Sequence, residues 1–274
     1  MPGPRHSTGG TPKPTPGRRE YDDLVVDLSQ DLDEVDGWLL SVDGVPSSYV
    51  DLSDPTHLVF EYVRWIGDVL DLVAPEGDAL DTVHLGGAGC TLPRYLAHTR
   101  PRSHQVVLER SADLIDLARE AFGLRSSRLM KLRVGDAREG LAALPESSYD
   151  CVIRDAFVGD KVPQHLLTAE FIAEVKRVLR PGGSYIANVA DRQPLMLARA
   201  ETATALEAFR HVAQIGEPST FRGRRFGNLV LVGSDAPIDL PALRRRVAGG
   251  GAPGRVLETD DCRDFTGGAK PLRD

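Results

Sequence analysis

The chain has 274 residues, of which 41% are hydrophobic, and its 33 lysines and arginines against 40 aspartates and glutamates give a net charge of −7. This length and composition are typical of one large globular domain, alone or with a small appendage, and exclude wholesale disorder, a collagen-like sequence and a disulfide scaffold. The negative charge disfavours nucleic acid as a partner, because a phosphate polyanion is repelled.

The cysteines and the apolar runs exclude further classes of protein. Cys90, Cys151 and Cys262 lie far apart and form no Cys-x-x-Cys or Cys/His spacing, so we expect neither a metal site nor a disulfide. No apolar run approaches the roughly 18 to 20 residues that cross a bilayer, and the N-terminus lacks the apolar stretch of a secretion signal. We therefore expect a cytoplasmic protein with no membrane partner.

The N-terminal part divides into two segments. Residues 1–20 hold five prolines and four glycines, and no large apolar residue follows Met1, which predicts a disordered basic tail. Residues 21–56 contain short apolar runs and the turn-forming pair Asp43-Gly44. They predict a small β-hairpin region.

After a helical apolar pattern from Leu58 to Val73, short apolar strands alternate with helices. The predicted strands are 80–85, 104–109, 129–134, 149–155 and 183–189, and the predicted helices are 91–99, 111–121, 136–143, 168–179 and 194–208. This alternation predicts an α/β fold, a doubly wound and mainly parallel sheet with helices on both faces. Two later runs, 211–216 and 227–233, predict a terminal antiparallel hairpin.

We place the main domain at residues 57–247. The segment that follows, residues 248–274, is rich in glycine and proline at its start. It predicts a flexible C-terminal tail.

In such a sheet the ligand lies outside the carboxyl ends of the strands. The first strand is followed by Gly86, Gly87 and Gly89, which let the backbone approach a nucleotide-like ligand or merely turn into the next helix. The second strand ends in Glu109, 22 residues after Gly87, where such folds hold the two hydroxyls of a ribose. The third small residue of a dinucleotide motif is replaced by Leu92, which favours a mononucleoside.

The third and fourth strands end beside Asp136 and Asp155. Either carboxylate could instead cap the helix that follows it. Three acids at the ends of successive parallel strands nevertheless predict a negative cleft, suited to a cation such as a sulfonium or an amine. There, Asp136 would accept from an adenine amino group, and Asp155 would orient an attacking amine and take its proton if burial raises its pKa.

Two further candidates follow the fourth and fifth strands. The polar loop 157–168 contains His165, a possible additional base near neutral pH, and could close over the cleft as a lid. An equally valid interpretation is a plain polar loop. Asp191, after the fifth strand, is a second candidate contact for an amine.

Taken together, residues from about 37 to 233 resemble the spermidine synthase (polyamine aminopropyltransferase) family, within the class I S-adenosylmethionine-dependent methyltransferase fold. The segments that carry the resemblance are LSVDGVPSS at 40–48, HLGGAGCTLPRYL at 84–96, VVLERSADLIDLARE at 106–120, VGDAREGLAAL at 134–144, YDCVIRDAF at 149–157 and VLRPGGSYIANV at 178–189.

The resemblance implies a Rossmann-like nucleoside-binding domain in which Glu109 holds ribose, Asp136 with Ala137 frames adenine, and Asp155 is the catalytic aspartate. It implies attack by a primary amine, such as putrescine, on the propyl carbon of decarboxylated S-adenosylmethionine, with release of methylthioadenosine. It also implies a homodimer, and a reaction that needs no metal.

The chain departs from the family pattern at several places. Ala88 stands where the family carries an aspartate that pairs with the aminopropyl nitrogen, and the loop after Asp155 replaces a short Asp-Pro loop. Other polyamine-binding positions are replaced near Pro46 and at 59–61. A carboxylate in place of Ala88 would repel the carboxyl group of ordinary S-adenosylmethionine, so its absence keeps methyl transfer as a second hypothesis. A third is a catalytically weak nucleoside-binding or interaction protein.

Overall fold

The structure, a computed structural model, describes residues 14–223, 225–251 and 253–274. Most of the predicted basic tail lies outside the described residues. The N-terminal part forms an antiparallel sheet with the strand order β1-β2-β3-β4. Its strands are β1 (Gly17–Glu20), β2 (Val25–Gln30), β3 (Gly37–Val42) and β4 (Val45–Asp51).

This sheet corrects two sequence-based boundaries. The predicted tail extends too far, because residues 17–20 form an edge strand that pairs with Val25–Leu28 of β2. The predicted hairpin region is part of a four-stranded sheet. A short polar edge strand is stabilised by its ladder of backbone hydrogen bonds, which composition does not reveal.

The main sheet has eight strands in the order β12-β10-β11-β9-β8-β5-β6-β7. They are β5 (Thr82–Leu85), β6 (Gln105–Glu109), β7 (Met130–Val134), β8 (Tyr149–Arg154), β9 (Leu179–Asp191), β10 (His211–Gly216), β11 (Gly227–Ser234) and β12 (Arg255–Leu257). Strands β5 to β9 are parallel, whereas β10, β11 and β12 add antiparallel pairs at one edge.

Helices cover both faces of this sheet, which confirms the predicted α/β fold. They are α1 (Glu61–Val73), α2 (Thr91–Thr99), α3 (Ala112–Phe122), α4 (Ala137–Ala142), α5 (Ala169–Val178), α6 (Met196–Ala208), α7 (Pro218–Phe221), α8 (Leu240–Gly249) and α9 (Thr259–Thr266). One apolar core, with Leu141 and Phe171, packs α4, α5 and α6 on the sheet. A second core, with Trp65 and Leu96, packs α1, α2 and α8. None of the described helices is long and apolar enough to cross a membrane.

A third core joins the N-terminal sheet to α3. Trp38 and Leu40 of β3 are buried there in the same cluster as Phe122. This packing brings β4 to the start of α2, where the backbone N–H of Gly89 donates to Ser48 Oγ at 3.0 Å. The small sheet therefore forms one wall at the carboxyl edge of the main sheet.

The segment 248–274, expected as a flexible tail, instead contains the end of α8, strand β12 and helix α9. Strand β12 pairs with β10, and Cys262 of α9 is fully buried. The side chain of Asp274 accepts hydrogen bonds from Arg138 and Thr168. Apolar positions at Val256 and Leu257 cover the open edge of the sheet, and this tertiary burial outweighs the local signal of glycine and proline.

Candidate active site

A cavity of about 780 Å³ opens at the carboxyl ends of the parallel strands. It lies over the point where the strand order reverses, between β5 and β8, which is where doubly wound sheets bind ligands. The structure brings together seven of the predicted site residues along its lining. These are Gly86, Gly87, Glu109, Asp136, Ala137, Asp155 and His165.

Gly86 allows the loop after β5 to lie against the end of β8. Its φ of +93° is in the range that favours glycine, and a methyl group there would overlap the carbonyl oxygen of Asp155. Gly89 has a different neighbour, because an added Cβ would lie 2.8 Å from Ser48 Cβ. Gly89 therefore fits the loop against β4 and does not line the cavity.

Glu109 organises the same loop. Its Oε2 accepts from the backbone N–H groups of Gly87, at 2.8 Å, and Ala88, at 3.2 Å. Its Oε1 accepts from the N–H of Ser111 at 2.9 Å. An ionised carboxylate offers about four lone-pair sites, so acceptor capacity is left for a ligand hydroxyl.

Asp136 both caps a helix and faces the cavity. Its Oδ1 accepts from the N–H groups of Arg138 and Glu139 in the first turn of α4, at 2.8 and 3.1 Å. Its Oδ2 lies 2.8 Å from His165 Nε2, so the loop after β8 is tied to the end of β7. Burial acts to raise the pKa of Asp136, but these hydrogen bonds outweigh it and lower the pKa below its ordinary value. Asp136 is therefore an ionised acceptor at neutral pH.

Asp155 follows β8 directly and is held from two sides. Its Oδ1 accepts from Asn188 Nδ2 of β9 at 2.9 Å, and its Oδ2 accepts from the Tyr62 hydroxyl of α1 at 3.3 Å. Burial raises the pKa of the Asp155 carboxyl, and the two hydrogen bonds offset part of that rise. Burial and the charge of Asp155 raise the pKa of Tyr62 far above its usual range, so the phenol stays a donor. The arrangement suits a general base with a fixed orientation.

Comparison with known proteins places this geometry in a family. Residues 83–187 match the methyltransferase domain family. A polyamine aminopropyltransferase of Vibrio vulnificus is 33% identical over 134 residues, which cover 48% of this chain and 44% of that protein. A probable spermidine synthase from Corynebacterium glutamicum, known from its crystal structure, is 38% identical with a TM-score of 0.90, over 96% of this chain and 97% of that chain.

The chain belongs to the spermidine synthase family. A further spermidine synthase, solved in complex with the transition-state analogue AdoDATO, is 16% identical and shares the fold, with a TM-score of 0.59 over 86% of this chain and 77% of that chain. The chain spans about half the length of the curated relatives that it matches.

Two residues of the site, Tyr62 and Asn188, are not predicted from the sequence. Tyr62 lies on the apolar face of α1, where its spacing resembles that of any core residue, and the chain separates it from Asp155 by 93 positions. Asn188 carries a detectable signal, since it is a polar residue within an apolar strand and is only 2% exposed. A buried amide in such a strand requires a hydrogen-bonding partner.

Asp191 is the predicted contact that the structure does not bring to the site. Its Oδ1 accepts from the N–H of Arg192 at 2.7 Å, and its Oδ2 accepts from the N–H of Ala198 at 2.9 Å, in the first turn of α6. It is not among the residues that line the cavity. The expectation of an amine contact is therefore corrected, because one carboxylate oxygen binds the first turn of α6 and the other binds the adjacent backbone N–H of Arg192.

Ala88, which stands where the family pattern has an aspartate, lies at the site. It lines the cavity, and its φ of +37° is left-handed, a conformation that alanine adopts at a cost. Its N–H donates to Glu109, so its place in the loop is fixed. Its methyl group provides no charge toward a ligand.

Proposed function

We propose that this protein transfers an aminopropyl group from decarboxylated S-adenosylmethionine to a small-molecule amine. The observation that carries the proposal is the partly buried carboxylate of Asp155, held by Tyr62 and Asn188 in the lining of a cavity. Family membership supports the same reaction. So does the name of the Vibrio vulnificus relative, which is an aminopropyltransferase.

The donor would lie over β5, β6 and β7. Glu109 would accept from the ribose hydroxyls, and the loop at Gly86 and Gly87 leaves room for the backbone to approach the nucleoside. Asp136 would accept from the adenine amino group beside the apolar surface of Ala137. The three carboxylates at this edge favour a positively charged donor, because they give the cavity a negative potential.

In the reaction, the amine nitrogen attacks the propyl carbon next to the sulfonium. A carbon–nitrogen bond forms, the carbon–sulfur bond breaks with its electron pair going to sulfur, and methylthioadenosine leaves. The proton released by the attacking nitrogen passes to Asp155. Orientation of the amine and the negative field of the site supply most of the catalysis, because the sulfonium is already a good leaving group.

Turnover is expected to fall as the pH is lowered, because only the ionised form of Asp155 takes the proton. The midpoint of this acid limb should lie above the ordinary aspartate pKa of about 3.9, because burial raises the pKa of Asp155. In Asn188→Leu the acid limb should move to higher pH, since the lost hydrogen bond had stabilised the ionised form. Tyr62→Phe should shift it in the same direction by less. The pH profile of kcat/KM measures both, and a limb unmoved in Asn188→Leu would exclude Asp155 as the titrating base.

Glu109→Gln is expected to weaken the binding of methylthioadenosine by about 10-fold to 100-fold. A glutamine amide has one oxygen, so its NH₂ group would face a backbone N–H of the loop or of Ser111, and an unsatisfied buried donor costs about 1–3 kcal/mol. Titration calorimetry gives the Kd. The matched control is Glu139→Gln, an exposed position outside the cavity, which should bind as the parent does. Equal Kd values for the two variants would contradict the role of Glu109.

Product analysis tests the proposed function directly. The protein is incubated with decarboxylated S-adenosylmethionine and putrescine, cadaverine or spermidine, and mass spectrometry looks for the amine heavier by one aminopropyl group. Methyl transfer is the second candidate, favoured by the uncharged Ala88. Calorimetry with the carboxylated and decarboxylated donors separates the two, because tighter binding of the carboxylated donor would reject aminopropyl transfer.

A further inference from the structure

The cavity has a second side, away from the donor residues. It lies over the ends of β8, β9 and β11, where Ala190 of β9 is paired in register with Asn228 of β11. Asp155 and Asn188 line it as a hydrogen-bonded pair. The lining on this side includes Phe157, Val158, Asp160, Ala190, Phe226 and Asn228. In aminopropyl transfer the donor would occupy the side over β5, β6 and β7. The acceptor would then bind on this second side, which Asp155 also lines.

This acceptor side carries little negative charge for a second ammonium group. Besides Asp155, its described lining includes one carboxylate, that of Asp160. Asp160 Oδ2 lies 3.7 Å from Arg192 Nη2, and the two side chains are 55% and 72% exposed. A solvated carboxylate beside a guanidinium is a weak anchor, because water and the opposite charge screen it.

Apolar side chains dominate the rim of the same side. Val158 is 49% exposed and Phe226 is 52% exposed, although large hydrophobic residues of this kind are usually buried. Both line the cavity, as does Val45 of β4, which is 38% exposed. The Arg192 guanidinium carbon lies 5.9 Å from the centre of the Phe226 ring, which places a cation beside this lining residue. An apolar ligand group would cover this surface, whereas a second ammonium would lose its water and meet that cation.

We propose that the acceptor is a primary monoamine with an apolar substituent, and that diamines and polyamines are poor substrates. This inference rests on the proposed aminopropyl transfer. The amine nitrogen binds beside Asp155, and its substituent packs against Phe157, Val158 and Phe226. Val158 contributes most directly to this preference, because its uncharged side chain lines the acceptor side and is 49% exposed.

The test compares butylamine with putrescine, which have the same carbon chain and differ by one ammonium group. With saturating decarboxylated S-adenosylmethionine, release of methylthioadenosine gives kcat/KM for each amine. We expect butylamine to exceed putrescine by at least about 10-fold at equal pH, since 1.4 kcal/mol corresponds to a factor of ten. An equal or higher value for putrescine overturns the inference while the proposed function stands. Absence of methylthioadenosine release with every amine rejects the proposed function, and the inference with it.

Three variants complete the test. Val158→Asp should raise kcat/KM for putrescine by at least about 10-fold relative to butylamine, because it adds a carboxylate to the acceptor side. A factor of ten corresponds to about 1.4 kcal/mol. Val35→Asp, at an exposed position outside the cavity, makes the same change of net charge and should leave the ratio unaltered. Asp160→Asn should also leave the ratio within about two-fold, as expected of a weak exposed pair. Selective loss of putrescine turnover in Asp160→Asn would show that Asp160 holds a second ammonium, and would overturn the inference.

Discussion

Replacing Asp155 with asparagine is expected to lower kcat by about 100-fold to 10,000-fold, the usual contribution of a general base. The amide keeps the volume of the carboxylate but has no site for the proton of the amine. Its neighbours tolerate the change, because the Tyr62 hydroxyl can turn to accept and the Oδ1 of Asn188 has no partner among the described residues. The Kd for methylthioadenosine should stay within about two-fold, since a variant that removes only transition-state interactions leaves ground-state binding unchanged.

The matched control is Asp191→Asn. This aspartate ends the neighbouring strand β9, but its oxygens accept from the backbone N–H groups of Arg192 and of Ala198 in α6, and it does not line the cavity. Its turnover should be close to that of the parent protein. Unchanged kcat in Asp155→Asn, or an equal loss in both variants, would remove Asp155 from the mechanism.

The second large effect concerns stability. Arg154 is fully buried at the end of β8, where its guanidinium donates to the carboxylate of Glu201 in α6 and, through Nε, to the Tyr185 hydroxyl at 2.9 Å. Glu201→Ala leaves that guanidinium without its counter-charge. Breaking a buried pair in this way costs about 3–5 kcal/mol, so we expect the free energy of unfolding in urea to fall by that amount.

Two controls separate the pair from the packing around it. The double variant with Arg154→Met and Glu201→Leu removes both charges and should recover a large part of the lost stability, because well-packed apolar residues replace a buried pair at little cost. Asp116→Ala breaks the exposed pair with Arg119 and should cost less than about 1 kcal/mol. A loss in Glu201→Ala no larger than that in Asp116→Ala would contradict the prediction.

Turnover of butylamine and of putrescine can be measured for all of these variants. Asp155→Asn should lower kcat for every amine by about 100-fold to 10,000-fold, whereas Val158→Asp should change the order of the amines. Glu201→Ala should do neither at temperatures well below its own unfolding transition, since it acts on the stability of the sheet. The three substitutions therefore distinguish the base, the acceptor side and the scaffold.

Much of the fold follows from local pattern. The helix predicted at 91–99 has the same bounds in the structure, and the five predicted strands match β5 to β9 to within a few residues, except that β9 starts earlier and extends later. Apolar periodicity and turn residues are local signals, so they survive without tertiary information. The meeting of Glu109, Asp136 and Asp155 was equally predictable, because carboxyl ends of parallel strands share one edge of the sheet.

Other features depend on partners that are distant in the chain. The edge strands β1 and β12 are only four and three residues long and are stabilised by the neighbours with which they pair. Tyr62 reaches Asp155 because α1 packs across the sheet, and Asp191 turns away because its oxygens accept from the N–H groups of Arg192 and of Ala198 in α6. The sequence by itself thus determined the order of the elements and the acids at their ends. Only the tertiary structure decided which side chains face the cavity, because side-chain direction depends on hydrogen bonds and packing between distant segments.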